Sequence, residues 1–218
     1  MIIYLIRHGA NDSLGNFLPG QLPDVHLNEK GMEQARQVAE SLRSVELDAI
    51  YASPLERTVE TAAPLAAVTG LPVVPIPGLI EMNTGEFTGV PFAQLQKNAD
   101  WKKIRANPHL STFPGGEAFS AAWERLWTAL QEIISKHRVG DRVAVFSHSD
   151  CIKMMLSRTM GIPFSSFPQV IADPASLAIL VFYKDKYWLA GSNIQLPYQF
   201  PVIEIKKPAE AAAAPPVD

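Results

Sequence analysis

Two short apolar segments, residues 2–6 and 143–147, constrain the fold of this chain more than any other feature. Both consist almost entirely of aliphatic and aromatic residues, which is typical of strands covered on both faces in a parallel sheet. Each segment is followed within two residues by a histidine, His8 in the first case and His148 in the second. Because functional groups of α/β proteins gather at the carboxyl ends of the strands, we expect both histidines at one edge of the sheet.

The chain between these segments predicts helices and further strands in alternation. Asn28 is a suitable N-cap, and the helical spacing of apolar residues after it predicts a helix that faces the sheet. These apolar residues are Met32, Ala35, Val38, Ala39 and Leu42. Strands are predicted over 48–52 and 73–76. Between them, residues 53–56 (Ser-Pro-Leu-Glu) match a capping box with proline at the first helical position, which predicts a helix that ends at Gly70.

The second half of the chain continues the alternation. Apolar residues at helical spacing over 119–134 predict a long amphipathic helix, a helix is predicted over 149–160, and strands over 177–183 and 187–190. Residues 78–117 are rich in Gly, Pro and Asn and predict short helices and a loop over the site. Strands that alternate with helices predict an α/β domain with helices on both faces of a mostly parallel sheet.

Composition favours one globular domain. The chain has 218 residues, 47% of them hydrophobic, which is enough for one substantial core. We assign this domain to residues 1–205. Residues 206–218 contain little apolar variety beyond alanine and proline, so we predict a loose tail there.

Charge and cysteine content limit the classes of partner. The net charge is only −3 and no run of Lys or Arg forms a stripe, so we expect neither a nucleic-acid nor a membrane-surface partner. Cys151 is the single cysteine, which indicates a reducing compartment and predicts a cytoplasmic location. The apolar start of the chain lacks the basic region of a signal peptide, and no apolar run approaches the ~20 residues that span a bilayer.

Arg7-His8-Gly9 follows the first strand and is the first candidate for chemistry. A neutral imidazole can act as a nucleophile, an adjacent guanidinium can hold phosphate oxygens, and a glycine lets the backbone approach a ligand closely. The alternative is that His8 is a hydrogen-bonded histidine at a strand end with no catalytic role. The tripeptide alone does not decide between the two.

Arg57 and His148 favour the functional interpretation. Arg57 falls in the first turn of a predicted helix, where the dipole disfavours a cation unless a surface partner such as Glu56 or Glu60, or a bound anion, compensates for it. His148 precedes another helix, whose N-terminal amides and Ser149 could bind phosphate. Together with His8 and two arginines, His148 is expected to donate to the oxygens of a phosphoryl group in transfer.

Phosphoryl transfer also needs a proton for the leaving oxygen, and therefore a carboxylic acid near the pocket. Glu81, in the segment after a predicted strand, is the candidate, and Glu86 is its competitor. A loop carboxylate that is merely solvated would titrate normally.

The ordered set of motifs resembles the histidine phosphatase superfamily, also called phosphoglycerate-mutase-like, over most of the chain. The motifs are Arg7-His8-Gly9, Ser53-Pro54-Leu55-Glu56-Arg57 with Thr61-Ala62, Glu81 with Gly85 and Gly89, Pro114-Gly115-Gly116-Glu117, and Ser147-His148. The segments 148–153 and 173–176 are similar to the bacterial branch usually named as probable phosphoglycerate mutase or phosphomutase.

The resemblance implies a three-layer α/β/α sandwich and a phosphohistidine at His8. It implies that Arg7, Arg57 and His148 form the phosphate pocket, that Glu81 donates and accepts protons, and that no metal or other cofactor takes part. In a phosphatase, water then releases the phosphoryl group from histidine. In a mutase, which would use 2,3-bisphosphoglycerate, a substrate hydroxyl takes it back.

The chain departs from the family pattern in three places. After His8-Gly9 the family usually has Glu, Gln or Arg, then Thr or Ser, and an asparagine a few residues later. Residues 10–16 instead read Ala-Asn-Asp-Ser-Leu-Gly-Asn, so Asn11, Asn16 or Gln21 are alternative phosphate ligands. Ser149 replaces the common glycine after the second histidine and is a candidate substrate ligand. Residues 83–89 lack the Tyr-Gly stretch of the true mutases and look more like the phosphatase form.

We therefore expect first a metal-independent phosphatase of a small phosphorylated metabolite. A phosphoglycerate mutase and a non-catalytic phosphate-binding module are the alternatives. A homodimer is expected only because dimers are the commonest assembly.

Several other residues carry weaker expectations. Trp101, Trp123 and Trp127 could line a hydrophobic substrate pocket, but the helical pattern around the last two favours the core for them. Cys151 is expected to be an inert buried thiol. Asp150 and Lys153 are expected on a solvated helix face. The remaining histidines, His26, His109 and His137, are expected at the surface, although His109 could reach substrate.

Overall fold

A computed structural model describes residues 1–197. Its six strands form one sheet, in the order β3-β2-β4-β1-β5-β6. The strands are β1 (Ile2–Arg7), β2 (Ala49–Ala52), β3 (Val73–Pro75), β4 (Arg142–Ser147), β5 (Leu177–Tyr183) and β6 (Lys186–Ile194). The pairings among β1 to β4 are parallel and the two pairings that involve β5 are antiparallel. The predicted mostly parallel sheet is confirmed.

Six α-helices join and cover these strands. They are α1 (Glu29–Leu42), α2 (Glu56–Thr69), α3 (Phe92–Leu95), α4 (Ala99–Ala106), α5 (Phe119–Ser135) and α6 (Ser149–Thr159). Short 3-10 turns lie at Pro77–Leu79, Gly85–Phe87, Pro108–Leu110 and Phe164–Gln169. The segment 78–117 thus contains short helices, as predicted. Residues 198–218 lie outside the described residues, so the division at 205/206 stays a prediction.

Alternation along β1 divides the core into two layers. Ile3 and Leu5 pack in the layer that contains α5 and α6, whereas Ile2 and Ile6 pack in the layer with α1 and α2. Successive side chains of a strand point to opposite faces, so a strand that is apolar throughout needs a helical layer on each side. This burial, worth roughly 1.5–3 kcal/mol for each large aliphatic side chain, fixes the α/β/α sandwich.

The central pair of strands brings the two histidines together. Arg7 of β1 lies opposite Ser147 of β4 in parallel register, so the residues that follow them, His8 and His148, emerge side by side. The His8 amide donates to the Ser147 carbonyl at 3.0 Å. The edge of the sheet predicted to carry the site is therefore the one that carries both histidines.

Two local predictions are wrong. Leu55, not Ser53, is the N-cap of α2, with no side-chain cap, and Pro54 precedes the helix. Met32 is 45% exposed and does not face the sheet, because in this turn of α1 its neighbour Gly31 is the residue that packs against the end of β1. Asn28, in contrast, caps α1 by accepting from the Gly31 amide at 3.0 Å, as predicted.

The structure explains the glycine at position 9 by packing between elements, whereas the sequence predicted a close approach of the backbone to a ligand. A Cβ at this position would lie 2.8 Å from the Gly31 carbonyl oxygen of α1. The absence of a side chain therefore lets α1 pack against the end of β1, beside His8.

Candidate active site

His8 is held with one ring nitrogen engaged and the other free. Its Nδ1 lies 2.8 Å from the Gly9 carbonyl oxygen, which can only accept, so Nδ1 carries the proton and Nε2 keeps its lone pair. Burial, followed by the charges of Arg7 and Arg57, lowers the pKa of His8 well below its ordinary value. The imidazole is therefore neutral at neutral pH, the form that a nucleophile needs.

His148 faces His8, with ring centroids 5.3 Å apart. Its Nε2 lies 2.8 Å from the Ser53 hydroxyl, and its Nδ1 has no hydrogen-bond partner among the described residues. Burial, Arg57, His8 and Arg7 all lower the pKa of His148. Ser53, expected to cap α2, thus orients the second histidine instead.

Two guanidinium groups flank the histidines, that of Arg57 buried and that of Arg7 half-buried. Arg57 is 0% exposed, and its Nη2 donates to the Gly20 carbonyl at 2.8 Å, while its Nε and Nη1 have no partner within residues 1–197. Arg7 donates from Nη1 to the Ala172 carbonyl at 2.8 Å, and its Nε is also unpaired there. Buried N–H groups of an ever-charged side chain are costly when unpaired, so this arrangement fits an anion such as phosphate.

Glu81, and not Glu86, faces the cavity that contains His8. Its Oε1 accepts from the Met82 amide at 2.9 Å, and its Oε2 lies 3.9 Å from His148 Nδ1. Burial raises the pKa of Glu81, the negative charge of Asp150 raises it further, and Arg57 opposes them. The side chain, 18% exposed, is therefore suited to hold a proton above the ordinary pKa of a carboxyl group. Glu86 is exposed.

An ion pair between Arg125 of α5 and Glu117, which precedes this helix, anchors the segment that carries Glu81. Arg125 donates from Nε and Nη2 to the two oxygens of Glu117, at 2.9 and 2.8 Å, and from Nη1 to the Gly78 and Ile80 carbonyls. Sequence analysis missed Arg125. Arg125 lies three residues after Ala122 and four before Ala129, so helical spacing places it on the same face of α5 as these two buried residues. This spacing was the signal in the sequence.

The predicted substrate-binding residues are placed unequally. Ser149 lines the cavity with its hydroxyl near the Ala172 carbonyl, whereas Asn11 and Gln21 are not among the lining residues. Gln21 donates from Nε2 to the Glu81 carbonyl at 2.6 Å. Asn11 is buried and accepts from the Ser13 amide and hydroxyl, and its own Nδ2 is unpaired in the described part of the chain. The role of each in binding substrate stays a prediction.

The cavity has a volume of about 550 Å³ and extends well beyond the histidines. Asp150 and Lys153 line it and form an ion pair at 3.0 Å, so the expectation of a plain solvated helix face is wrong. Trp101 also lines it. Trp123 and Trp127 pack, half-buried, against the core as expected.

The other residues singled out from the sequence do not line the cavity. Cys151 is buried, with Sγ 3.5 Å from Glu81 Oε1. His26 is exposed, as expected, and pairs with Glu60. His137 is not a surface residue, because its ring is enclosed between the Tyr51 hydroxyl and Asp141. His109 is half-buried, in edge contact with Phe164.

Two searches of residues 1–197 bear on metals and membranes. They contain no group of three or more His, Cys, Asp or Glu residues that could hold a metal ion. None of the helices described in this range has the length and apolarity to cross a membrane.

A three-layer fold with two histidines at the ends of neighbouring strands and two arginines beside them defines a histidine-type phosphotransferase. The chain belongs to the histidine phosphatase superfamily (branch 1), whose family model matches residues 3–195. The chain is therefore an enzyme. Its relatives include proteins named as phosphatases and as phosphoglycerate mutases.

Three known proteins illustrate the range of these relatives. Phosphoserine phosphatase 1 of Hydrogenobacter thermophilus is 29% identical over 182 residues, 82% of this chain and 85% of that protein. Probable phosphoglycerate mutase GpmB of Yersinia pestis is 31% identical over 194 residues, 87% of this chain and 88% of that protein. A mycobacterial glucosyl-3-phosphoglycerate phosphatase solved with VO3 is 26% identical with a TM-score of 0.80, over 88% of this chain and 98% of that one.

Proposed function

We propose that this protein is a metal-independent phosphatase that transfers the phosphoryl group of a small phosphate monoester to His8 and then to water. The observation that carries the proposal is the fully buried Arg57, which leaves two N–H groups unpaired among the described residues beside His8. A phosphate dianion would satisfy these donors and offset the cost of the buried charge.

The first step forms a bond between His8 Nε2 and phosphorus and breaks the bond from phosphorus to the ester oxygen. The hydrogen bond from Nδ1 to the Gly9 carbonyl directs the free lone pair of Nε2 at the phosphate and stabilises the charge that develops on the ring. Arg7 and Arg57 balance the negative charge on the phosphoryl oxygens. His148 donates a hydrogen bond to these oxygens when its proton is on Nδ1. The leaving alcohol takes its proton from Glu81, whose pKa is raised by burial so that it holds its proton to higher pH than an exposed carboxyl group.

The second step reverses the proton transfer. Glu81, now ionised, removes a proton from water, the water oxygen attacks phosphorus, and the bond from His8 Nε2 to phosphorus breaks. Inorganic phosphate and neutral His8 are the products. The same two side chains thus serve both halves of the cycle, and no metal ion is needed to supply charge.

A phosphoglycerate mutase that depends on 2,3-bisphosphoglycerate is the second candidate. The similarity to the Yersinia protein named phosphoglycerate mutase favours it. The departures at residues 10–16 and 83–89 favour the phosphatase, since they alter the segments that would hold a phosphorylated sugar acid. A non-catalytic phosphate-binding module is the least favoured, because Glu81 would have no use in it. Under either enzymatic proposal the partner is a small phosphorylated metabolite in the cytoplasm, without nucleic acid or membrane, and a homodimer is the expected assembly.

The decisive experiment measures phosphate release from a panel of phosphate esters in the presence of EDTA, for the wild type and for His8→Ala. We expect release by the wild type, its loss in His8→Ala, and acid-labile labelling of the wild type alone by radioactive phosphate ester. His26→Ala is the matched control, because that histidine is exposed and paired with Glu60.

A parallel assay follows conversion of 3- to 2-phosphoglycerate with added bisphosphoglycerate. Isomerisation with little release would replace the phosphatase by the mutase. Release that survives in His8→Ala would contradict the phosphohistidine step, and release abolished by EDTA would contradict metal independence.

A further inference from the structure

The apolar wall of the cavity identifies a substrate class. We infer that the alcohol part of the substrate is a large apolar group, alkyl or aromatic, and not a small polar acid such as glycerate or serine. This inference rests on the proposed function, because it assigns the part of the same cavity into which the leaving group extends from the phosphate.

The wall consists of side chains from three separate segments of the chain. Residues 14–18, helices α3 and α4 and the segment that leads to α5 contribute it, and its members include Leu14, Phe17, Phe92, Trp101, Ile104 and Phe113. None of these side chains carries a charge, and four are aromatic. A ligand group that rests on them leaves water without gaining polar partners, which favours hydrocarbon.

The aromatic part of this wall is fixed in place. The Trp101 ring contacts Phe87 edge-on, with centroids 6.1 Å apart, and Phe92 at 6.3 Å. Phe87 in turn contacts Phe113 at 6.3 Å. Phe17, Phe92 and Trp101 are only half-buried, so each still presents ring surface to a ligand. The wall is therefore preformed, and binding costs little ordering of side chains.

Most polar groups near this wall are already engaged. Among the lining hydroxyls, that of Ser13 donates to Asn11 Oδ1 and that of Thr84 bonds to Thr88, both at 2.6 Å. Gln96 and Arg105 also line the cavity, but both are exposed to water, where a charge contributes little to binding. Any other carboxylate or ammonium contact of the substrate would have to displace these hydrogen bonds or break the pair between Asp150 and Lys153. A neutral apolar group would disturb none of them.

The volume of the cavity agrees with this class. At about 550 Å³ it lies within the range of ~300–1,000 Å³ that holds drug-sized ligands. A three-carbon acid would leave most of the apolar wall in contact with water.

The test uses primary alkyl phosphates from ethyl to hexyl, together with phosphoserine and 3-phosphoglycerate. The leaving alcohols of the alkyl series have nearly the same acidity, so a change in kcat/KM reports contact with the wall and not chemical reactivity. We expect kcat/KM to rise about a hundredfold from ethyl to hexyl phosphate, roughly threefold per methylene group. A ratio near one, or a preference for phosphoserine or 3-phosphoglycerate over hexyl phosphate, would overturn the inference.

Three variants locate the effect. Leu14→Gln and Trp101→Ala should each reduce the ratio of kcat/KM for hexyl to that for ethyl phosphate. Leu14 is 37% exposed, so its replacement does not threaten folding even if loss of the Trp101 ring does. Trp188→Ala is the matched control, because this tryptophan is 47% exposed on β6 and does not line the cavity. An unchanged ratio in Leu14→Gln and in folded Trp101→Ala would contradict the assignment.

A binding measurement separates the two proposals. Calorimetry on the His8→Ala variant gives the Kd of each alkyl phosphate without turnover. If the wild type hydrolyses no ester while the His8→Ala variant binds longer chains more tightly, the phosphatase would be overturned and the apolar class would stay in place. Hydrolysis of many esters by the wild type without a preference for chain length would support the phosphatase and overturn the apolar substrate class.

Discussion

The two ends of the cavity are built in different ways. At the phosphate end Arg7 and His8 line the cavity, and Arg57 and His148 lie next to them without lining it. These four residues stand on the ends of two neighbouring strands and on the first turn of α2, and all but Arg7 are buried. The apolar end, residues 14–18 and 92–113, is built from loops and short helices whose side chains are half-exposed in several places. Strand register fixes the chemistry, whereas packing among loop residues fixes the choice of substrate.

This contrast predicts that damage to the phosphate end acts on all substrates, whereas damage to the apolar end changes their ranking. The charges show why. The unpaired buried donors, within the range described, include three N–H groups of Arg7 and Arg57. The charges at the other end are either paired, as in Asp150 and Lys153, or exposed, as in Arg105.

Replacement of Arg57 should have the largest effect of the variants that keep His8. Arg57→Met removes two unpaired donors and the buried charge, so we expect kcat/KM to fall by about a thousandfold for every ester. Arg57→Lys should retain only part of the wild-type kcat/KM, since an ammonium group cannot reproduce the planar set of donors of a guanidinium. Arg105→Met, at the apolar end, should change kcat/KM by less than about threefold, as expected of an exposed charge.

A thermal measurement gives an independent check on Arg57. Inorganic phosphate should raise the Tm of the wild type and of Arg105→Met but not that of Arg57→Met, because only Arg57→Met has lost the buried guanidinium group that binds phosphate. Equal stabilisation of all three proteins would show that phosphate does not bind where we place it.

Glu81 should have an effect that depends on the leaving group. Since its pKa is raised and its acid form is the active one in the first step, kcat/KM for an alkyl phosphate should fall as pH rises through that pKa. Glu81→Gln should lower kcat/KM for alkyl phosphates about a hundredfold and remove this dependence on pH. With 4-nitrophenyl phosphate, whose leaving group needs no proton, the same variant should retain nearly all of kcat/KM. Equal losses on both substrates would contradict the role of Glu81 as proton donor.

Arg125 should act through Glu81 and therefore more weakly. Arg125→Ala frees the Gly78 and Ile80 carbonyls and leaves Glu117 unpaired, which should lower the free energy of unfolding by about 1–3 kcal/mol. We expect about a tenfold loss of kcat/KM on alkyl phosphates and little on 4-nitrophenyl phosphate. A purely structural role would reduce both alike. Arg36→Ala, which breaks an exposed pair with Glu33, is the matched control.

The phosphate end could be predicted from sequence because its signals are local. Apolar strands that lead to a histidine locate His8 and His148, and Arg57 lies close to a strand end on a recognisable helix. What local signals could not give is partner choice. Ser53 fits a capping box equally well, but its hydroxyl meets His148, which is 95 residues away in the sequence.

The apolar end could not be predicted because it depends on contacts between segments without strong patterns. Phe17, Trp101 and Phe113 come from separate parts of the chain, and only the folded structure shows that they share a wall. Lys153 illustrates the same limit, since its helical spacing from Asp150 indicates an ion pair but not the cavity beside it. Gln21, a candidate substrate ligand from the sequence, donates its side-chain amide to the Glu81 carbonyl, a contact that no local pattern indicates.

Ser149 should have the smallest effect, and it tests where the two ends of the cavity meet. It begins α6 directly after His148 and lines the cavity, and its hydroxyl makes a long hydrogen bond of 3.4 Å to the Ala172 carbonyl. If its hydroxyl binds a phosphoryl oxygen, Ser149→Ala should weaken inhibition by inorganic phosphate about threefold to tenfold, the range of one neutral hydrogen bond. Ser149→Gly should match it, since both lack the hydroxyl, and the ratio of hexyl to ethyl phosphate should stay unchanged. If instead the Cβ of Ser149 limits the space, Ser149→Gly alone should tighten phosphate binding, and the serine would then belong to the wall that selects the substrate.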